Sequence, residues 1–233
     1  MKNEIKLSHI LIINLFASFS CMVYELVLAQ ILSATLGNTM LRYGTTIGLY
    51  LASMGTGSLF LSKFKDTEAL EKKLFNVEMI LSWLGLISPF FMILSDRFTR
   101  ADSLNIPYLN FIVGYVLVII IGLATGAELP ILMALAEKNK KSANILVLVF
   151  DYVGTLLASL LFPLLLLPTI GVIYTSFLAS LINTLVSLFI MWKYKVKSSK
   201  AIISLILISI ILIALVSNFE NYEQWLIYEV YLK

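Results

Sequence analysis

Tyr24-Glu25-Leu26 lies at the heart of an apolar run in which Glu25 is the only charge between Lys6 and Arg42. About 20 apolar residues suffice to carry a helix across the hydrocarbon core of a bilayer. A charge placed mid-span costs a few kcal/mol, so such a residue is read as functional unless a partner is evident. Two others repeat the pattern. Glu128 sits in Gly126-Ala127-Glu128-Leu129-Pro130 and Asp151 in Phe150-Asp151-Tyr152-Val153-Gly154, each the only charge of its apolar segment.

Composition extends this reading to the whole chain. Of 233 residues, 60% are hydrophobic and 13% charged, whereas a soluble domain has about 45–50% apolar and about 25% charged residues. The expected fold is therefore all-α: a polytopic transmembrane helix bundle in the cell (plasma or inner) membrane, with the lipid bilayer as its first partner. Seven segments are long enough, approximately residues 7–34, 43–62, 77–95, 107–136, 144–168, 172–192 and 201–217. Pro168-Thr169-Ile170-Gly171 reads as a tight turn between the fifth and sixth. Residues 1–217 then form one seven-helix domain and 218–233 a short extracytoplasmic tail.

Thirteen of the 17 basic residues fall on one side of these spans, in the clusters around Lys2 and Lys6, Lys63 to Lys73, Lys138 to Lys141 and Lys193 to Lys200. Arg42, Arg97, Arg100 and Lys233 fall on the other. The positive-inside rule puts the N-terminus in the cytoplasm and, with seven spans, the C-terminus outside. Basic clusters in that arrangement signal topology and not a nucleic-acid surface. The first segment continues past Cys21 to Gly37, too long for a signal sequence, so an uncleaved helix is expected. One cysteine and one histidine, Cys21 and His9, leave neither an internal disulfide nor a histidine-rich metal site.

Asn14, Ser18, Cys21 and Glu25 recur at helical spacing on one face of the first span. In the second span Gly44, Gly48, Ala52 and Gly55, beside Thr56 and Gly57, suggest a close-packing seam, as do Gly122 and Gly126 in the fourth. Depth adds a relationship between segments. Glu25 lies about 13 Å from the outer end of span one and Glu128 about 12 Å from the inner end of span four; Tyr50 and Asp151 each lie about 10 Å into spans two and five from opposite sides. Spans one to three and four to six thus read as an inverted 3+3 repeat with one helix appended, an arrangement that places transporter sites between the halves.

Interior carboxyls without Lys or Arg among them must be neutral, hydrogen-bonded or met by a cation. The candidate solute- or proton-binding residues are Glu25, Glu128 and Asp151, with Tyr24, Tyr50, Asn38 and Tyr152 as hydrogen-bonding neighbours. No catalytic residue, metal or cofactor is expected. An intramembrane enzyme is disfavoured because Cys21 has no histidine at comparable depth.

Several motifs together carry a resemblance. They are Tyr24-Glu25-Leu26-Val27-Leu28-Ala29-Gln30, Leu36-Gly37-Asn38-Thr39, Gly48-Leu49-Tyr50-Leu51 with Met54-Gly55-Thr56-Gly57-Ser58, the Glu128 and Asp151 motifs, Phe162-Pro163 and Leu167-Pro168. In this order they resemble the N-terminal multi-span domain of membrane-fused, spermidine synthase-like proteins, and distantly half of a major-facilitator transporter. Ala158-Ser159 departs from a more glycine-rich pattern. The resemblance implies a soluble aminopropyltransferase-like domain or partner, and the stretch Glu223-Gln224-Trp225-Leu226-Ile227-Tyr228-Glu229 resembles the opening of that domain. No glycine-rich loop follows a strand pattern here, so no adenosyl-cofactor cradle is expected and the chain is not expected to be an enzyme by itself. Two functions follow from these readings: a non-catalytic membrane module that binds or passes a small cationic solute, a polyamine or a proton, or a structural anchor for the synthase-like partner. An external C-terminus conflicts with a cytoplasmic aminopropyl donor.

Overall fold

The computed structural model describes residues 6–62, 70–100, 108–139 and 142–194, together with 207, 208 and 210. The first four segments are helical nearly throughout: α1 Leu7–Leu36, α2 Thr39–Ser62, α3 Leu70–Arg100, α4 Leu109–Glu137, α5 Ala143–Leu161 and α6 Leu167–Tyr194, with a π-type turn, Phe162–Leu166, between the last two. Among the described residues there is no strand. The expected seventh span, 201–217, and the tail, 218–233, lie outside the described residues apart from the three named.

Four helical stretches are long and apolar enough to cross a membrane: Leu7–Leu36, Leu70–Thr99, Leu109–Glu137 and Ala143–Tyr194. They cover the first, third and fourth expected spans and, in the last stretch, the fifth and sixth together; the second is not among them and the seventh falls outside the described residues. Helix α2 is not among the four; Arg42 and its many Gly, Ser and Thr residues dilute its apolar character. The last stretch has 52 residues and as a straight helix would run about 78 Å. It is broken at Gly171, where φ is 74° and ψ is 173°, a conformation that a side chain would strain. The turn expected at 168–171 is therefore present.

Pairings along α1 fix the direction of every other helix. Tyr43 donates to Gln30 at 2.5 Å and Tyr50 to the Cys21 carbonyl at 3.1 Å, so α2 runs back along α1. The Tyr24 ring lies on Gly85 and Leu32 beside Met92 and Gly114, which makes α3 parallel to α1 and α4 antiparallel. Asn14 Nδ2 donates to the Val147 carbonyl at 2.6 Å while Ser18 lies on Gly154, so α5 is parallel. His9 meets Phe189 and Tyr24 meets Asn183, so α6 is antiparallel. Consecutive helices alternate in direction.

Helix α1 packs against all five others. Most of its circumference is buried, with Ile13, Ala17, Val27, Leu28 and Leu32 inside, while Ile12 and Phe16 lie half exposed on the remaining face. It ends at Gly37 (φ 71°) and Asn38 (φ 53°). The Gly37 N–H returns to the Ser33 carbonyl at 3.0 Å, and Asn38 Oδ1 accepts from the Leu41 N–H at 3.3 Å, capping α2.

The expected glycine seam of α2 is displaced. Gly44, Gly48 and Gly55 have nothing within 4 Å of where a Cβ would stand. Contact with α4 is made instead by Tyr50, Ser53, Met54 and Gly57. A Cβ at Gly126 would lie 1.9 Å from the Met54 carbonyl oxygen, and one at Gly122 would lie 2.8 Å from Ser53 Cβ. The seam expected on α4 is thus in place, and it sets how closely the two helices approach.

Prolines inside helices release carbonyls that must be satisfied elsewhere. Pro89 in α3 supplies no N–H to the Gly85 carbonyl, and Ser176 on α6 donates to that oxygen at 2.7 Å. Ser180 donates to the Ser82 carbonyl at 2.7 Å, and Thr184 to Ser82 Oγ at 3.2 Å. The α3–α6 seam is therefore polar and internally bonded.

Candidate functional site: a buried carboxyl cluster

Helix α1 brings Cys21, Tyr24 and Glu25 to the centre of the bundle, one turn apart. The Cys21 thiol donates to Glu128 Oε2 of α4 at 3.4 Å. Its backbone carbonyl accepts from the Tyr50 hydroxyl of α2, which also shares a 2.9 Å hydrogen bond with Thr125 of α4. Asn183 Nδ2 of α6 donates to the Tyr24 hydroxyl at 3.4 Å. Gly85 is required here, because a Cβ at that position would meet the Tyr24 ring at 2.2 Å.

Of the seven residues singled out in the sequence, five gather in or beside this cluster. Tyr24, Glu25, Tyr50 and Glu128 are buried. Glu25 is within electrostatic reach of Tyr50, and the half-buried Asp151 within reach of Glu128. The other two stand apart. Asn38 is exposed in the α1–α2 turn, and Tyr152 is 68% exposed on the outside of α5.

The structure adds residues that sequence reading passed over, Glu78 foremost. Glu78 of α3 is 0% exposed, and neither carboxyl oxygen has a hydrogen-bond partner. It lies in the field of Glu128 and acts electrostatically on Cys21 and Tyr24. The expected third span began at residue 77, which put Glu78 at a membrane interface; α3 begins at Leu70, two turns earlier. Its signal was the continuation of Glu78, Ser82 and Gly85 at spacings of four and three, one helix face. Asn183 was legible in the same way within the polar stripe Ser176, Ser180, Asn183, Thr184 and Ser187, all buried.

Fold and cluster together define an all-helical bundle with several membrane-length helices around buried carboxyls. No protein-family model matches the chain, and no solved structure matches it. The chain is 36% identical over 196 residues to the polyamine aminopropyltransferase of Leptospira interrogans, covering 83% of this chain and 37% of that protein. It is 33% identical over 190 residues to polyamine aminopropyltransferase 2 of Ralstonia nicotianae, covering 80% and 36% respectively. A third relative, the polyamine aminopropyltransferase of Oceanobacillus iheyensis, is 33% identical over 178 residues, covering 74% of this chain and 33% of that protein. Its homologues are thus polyamine aminopropyltransferases, and the matched part spans 33–37% of their length.

Proposed function

We propose that this chain is the non-catalytic, membrane-embedded module of a polyamine aminopropyltransferase-like protein. In this reading it binds or passes a small cationic solute, a polyamine or a proton, and Glu25, Glu128 and Asp151 are the charge partners of that solute. The observation that carries the reading is that buried Glu128 bonds Cys21, whose carbonyl bonds Tyr50, and that buried Glu25 acts on the same Tyr50. The Lys and Arg residues of the six helices, Arg42, Lys72, Lys73, Arg97, Arg100 and Lys193, all lie in a first or last turn. Acidic groups buried away from basic ones are neutral, hydrogen-bonded or met by a cation, and the proposal takes the last.

Placement in the cell membrane, with seven spans and a cytoplasmic N-terminus, is part of the same proposal. Large apolar side chains on the outside of the bundle, such as Phe60, Ile145, Leu156 and Leu164, favour lipid as the surrounding medium. The inverted repeat gains support from two matching crossings: Ser18 of α1 lies against Gly154 of α5, and Ser53 of α2 lies against Gly122 of α4. A polyamine-binding test on the chain in lipid nanodiscs, comparing wild type with Glu25→Gln, checks the reading. Loss of binding in the variant supports it; unchanged binding removes it.

The second reading is an anchor for a soluble synthase-like domain or subunit. The extent of the match favours it, because the curated relatives run well beyond the part aligned with this chain. An anchor predicts that Gln at positions 25, 128 and 151 leaves partner association and partner activity intact.

A further inference from the structure

Glu78 is the most costly unexplained group in the bundle. A buried carboxylate without donors is among the least favourable arrangements a protein can hold. Both Glu78 oxygens are in that position, and Asn183 Oδ1 is a further buried acceptor without a partner. The Cys21 thiol is committed to Glu128 and the Tyr50 hydroxyl lies between Cys21 and Thr125, while the Tyr24 hydroxyl, which accepts from Asn183, and the unpartnered Ser187 hydroxyl make no bond to Glu78. What Glu78 lacks is any donor to its two oxygens. Its complete burial leaves Glu78 suited to the smallest one.

Helix register brings Glu78 and Glu128 to neighbouring levels. Gly85 lies at the level of Tyr24, so Glu78, seven residues earlier on the parallel α3, lies near Ala17 and Ser18, while Glu128 lies beside Cys21. The offset between those levels is about 5–6 Å along the helices, and Glu78 lies in the field of Glu128. Among the described residues no three His, Cys, Asp or Glu side chains converge as a metal-ion site.

We propose that Glu78 and Glu128 form one proton-binding pair, holding a single exchangeable proton between α3 and α4. Two carboxylates at close quarters in a low dielectric do not both ionise. One proton leaves the pair with a charge of −1 and supplies the missing donor; it exchanges only against another proton or a small cation, so that the pair never stands at −2. The titratable groups around the pair are Cys21 and Tyr24 from α1, Tyr50 from α2 and Asp151, acting on Glu128, from α5; from α6 Asn183 reaches Tyr24. The proposal deepens the solute-binding reading by assigning the proton to an inner pair, which leaves Glu25 and Asp151 to meet a larger cation. Its purpose rests on that reading, but its test does not use the solute.

The test is infrared difference spectroscopy of the full chain in lipid nanodiscs, stepped from acid to alkaline pH in water and in heavy water. Subtracting each variant from wild type removes the bands of Glu25, Asp96 and Asp151. The expected result is a protonated-carboxyl band that shifts in heavy water, is displaced in both Glu78→Gln and Glu128→Gln, and is lost in the double variant. Glu78→Asp keeps a carboxyl one methylene shorter and shifts the band without loss, which covers the case of a Gln variant that fails to fold. A band that ignores either single substitution, or no such band in the wild type, overturns the pair. If the band behaves as expected while polyamine binding is absent, the solute reading fails and the pair stands.

Discussion

The Cys21 thiol of α1 donates to Glu128 Oε2 of α4 at 3.4 Å, joining the central helix to a buried carboxyl through a weak donor. Removing that donor leaves a buried oxygen unsatisfied, a cost of about 1–3 kcal/mol. Cys21→Ala, which loses the donor without adding bulk, is therefore expected to destabilise the bundle by at least that amount. Cys21→Ser supplies a stronger donor and is expected to stay within about 1 kcal/mol of wild type. Thermal unfolding in detergent micelles, followed by helical circular dichroism, distinguishes the two.

Gly126 and Gly48 are expected to respond oppositely to alanine. A Cβ at Gly126 would stand 1.9 Å from the Met54 carbonyl oxygen, and forced overpacking of this kind costs typically about 1–3 kcal/mol. At Gly48 nothing lies within 4 Å, and replacing a mid-helix glycine gains up to about 1 kcal/mol of helix propensity. The same unfolding measurement reads both signs.

The Pro89, Gly85 and Ser176 arrangement makes a double-substitution prediction. Ser176→Ala leaves the Gly85 carbonyl without its 2.7 Å donor, at about 1–3 kcal/mol. Pro89→Ala returns the helical N–H to that carbonyl. The pair of changes should therefore cost less than their sum, and a strictly additive double variant would show that the serine does not serve this oxygen.

Tyr152 supplies a control for the site. At 68% exposure on α5, Tyr152→Ala is expected to shift polyamine binding by less than about twofold, since surface substitutions typically stay within about 0.5 kcal/mol. Equilibrium binding in nanodiscs reads it.

The fold was legible wherever one strong rule acted alone. Unbroken apolar runs placed α1 and α4 within about two residues at each end, and Pro168 to Gly171 marked the reversal after α5. Lone charges drew attention to Glu25 and Glu128, which the bundle then buries. The misreadings share a cause: partner geometry is not written in one helix's own sequence. The glycine stripe of α2 could not show that Tyr50, Ser53, Met54 and Gly57 would face α4. Likewise the charged flank of α3, with Glu71, Lys72 and Lys73 ahead of it, hid that Glu78 already lay inside the bundle. Asn38 and Tyr152 adjoin informative motifs in sequence, yet the turn and the outer face of α5 place them away from the cluster.

The most direct test of the account is flux in proteoliposomes containing the full chain, with spermidine and protons recorded in the same vesicles for wild type, Glu25→Gln and Glu128→Gln. The account predicts flux of one or both cations in wild type and a loss of at least about tenfold in each variant, equivalent to about 1.4 kcal/mol of lost interaction. Equal flux in all three, or none above empty vesicles in wild type, would contradict it.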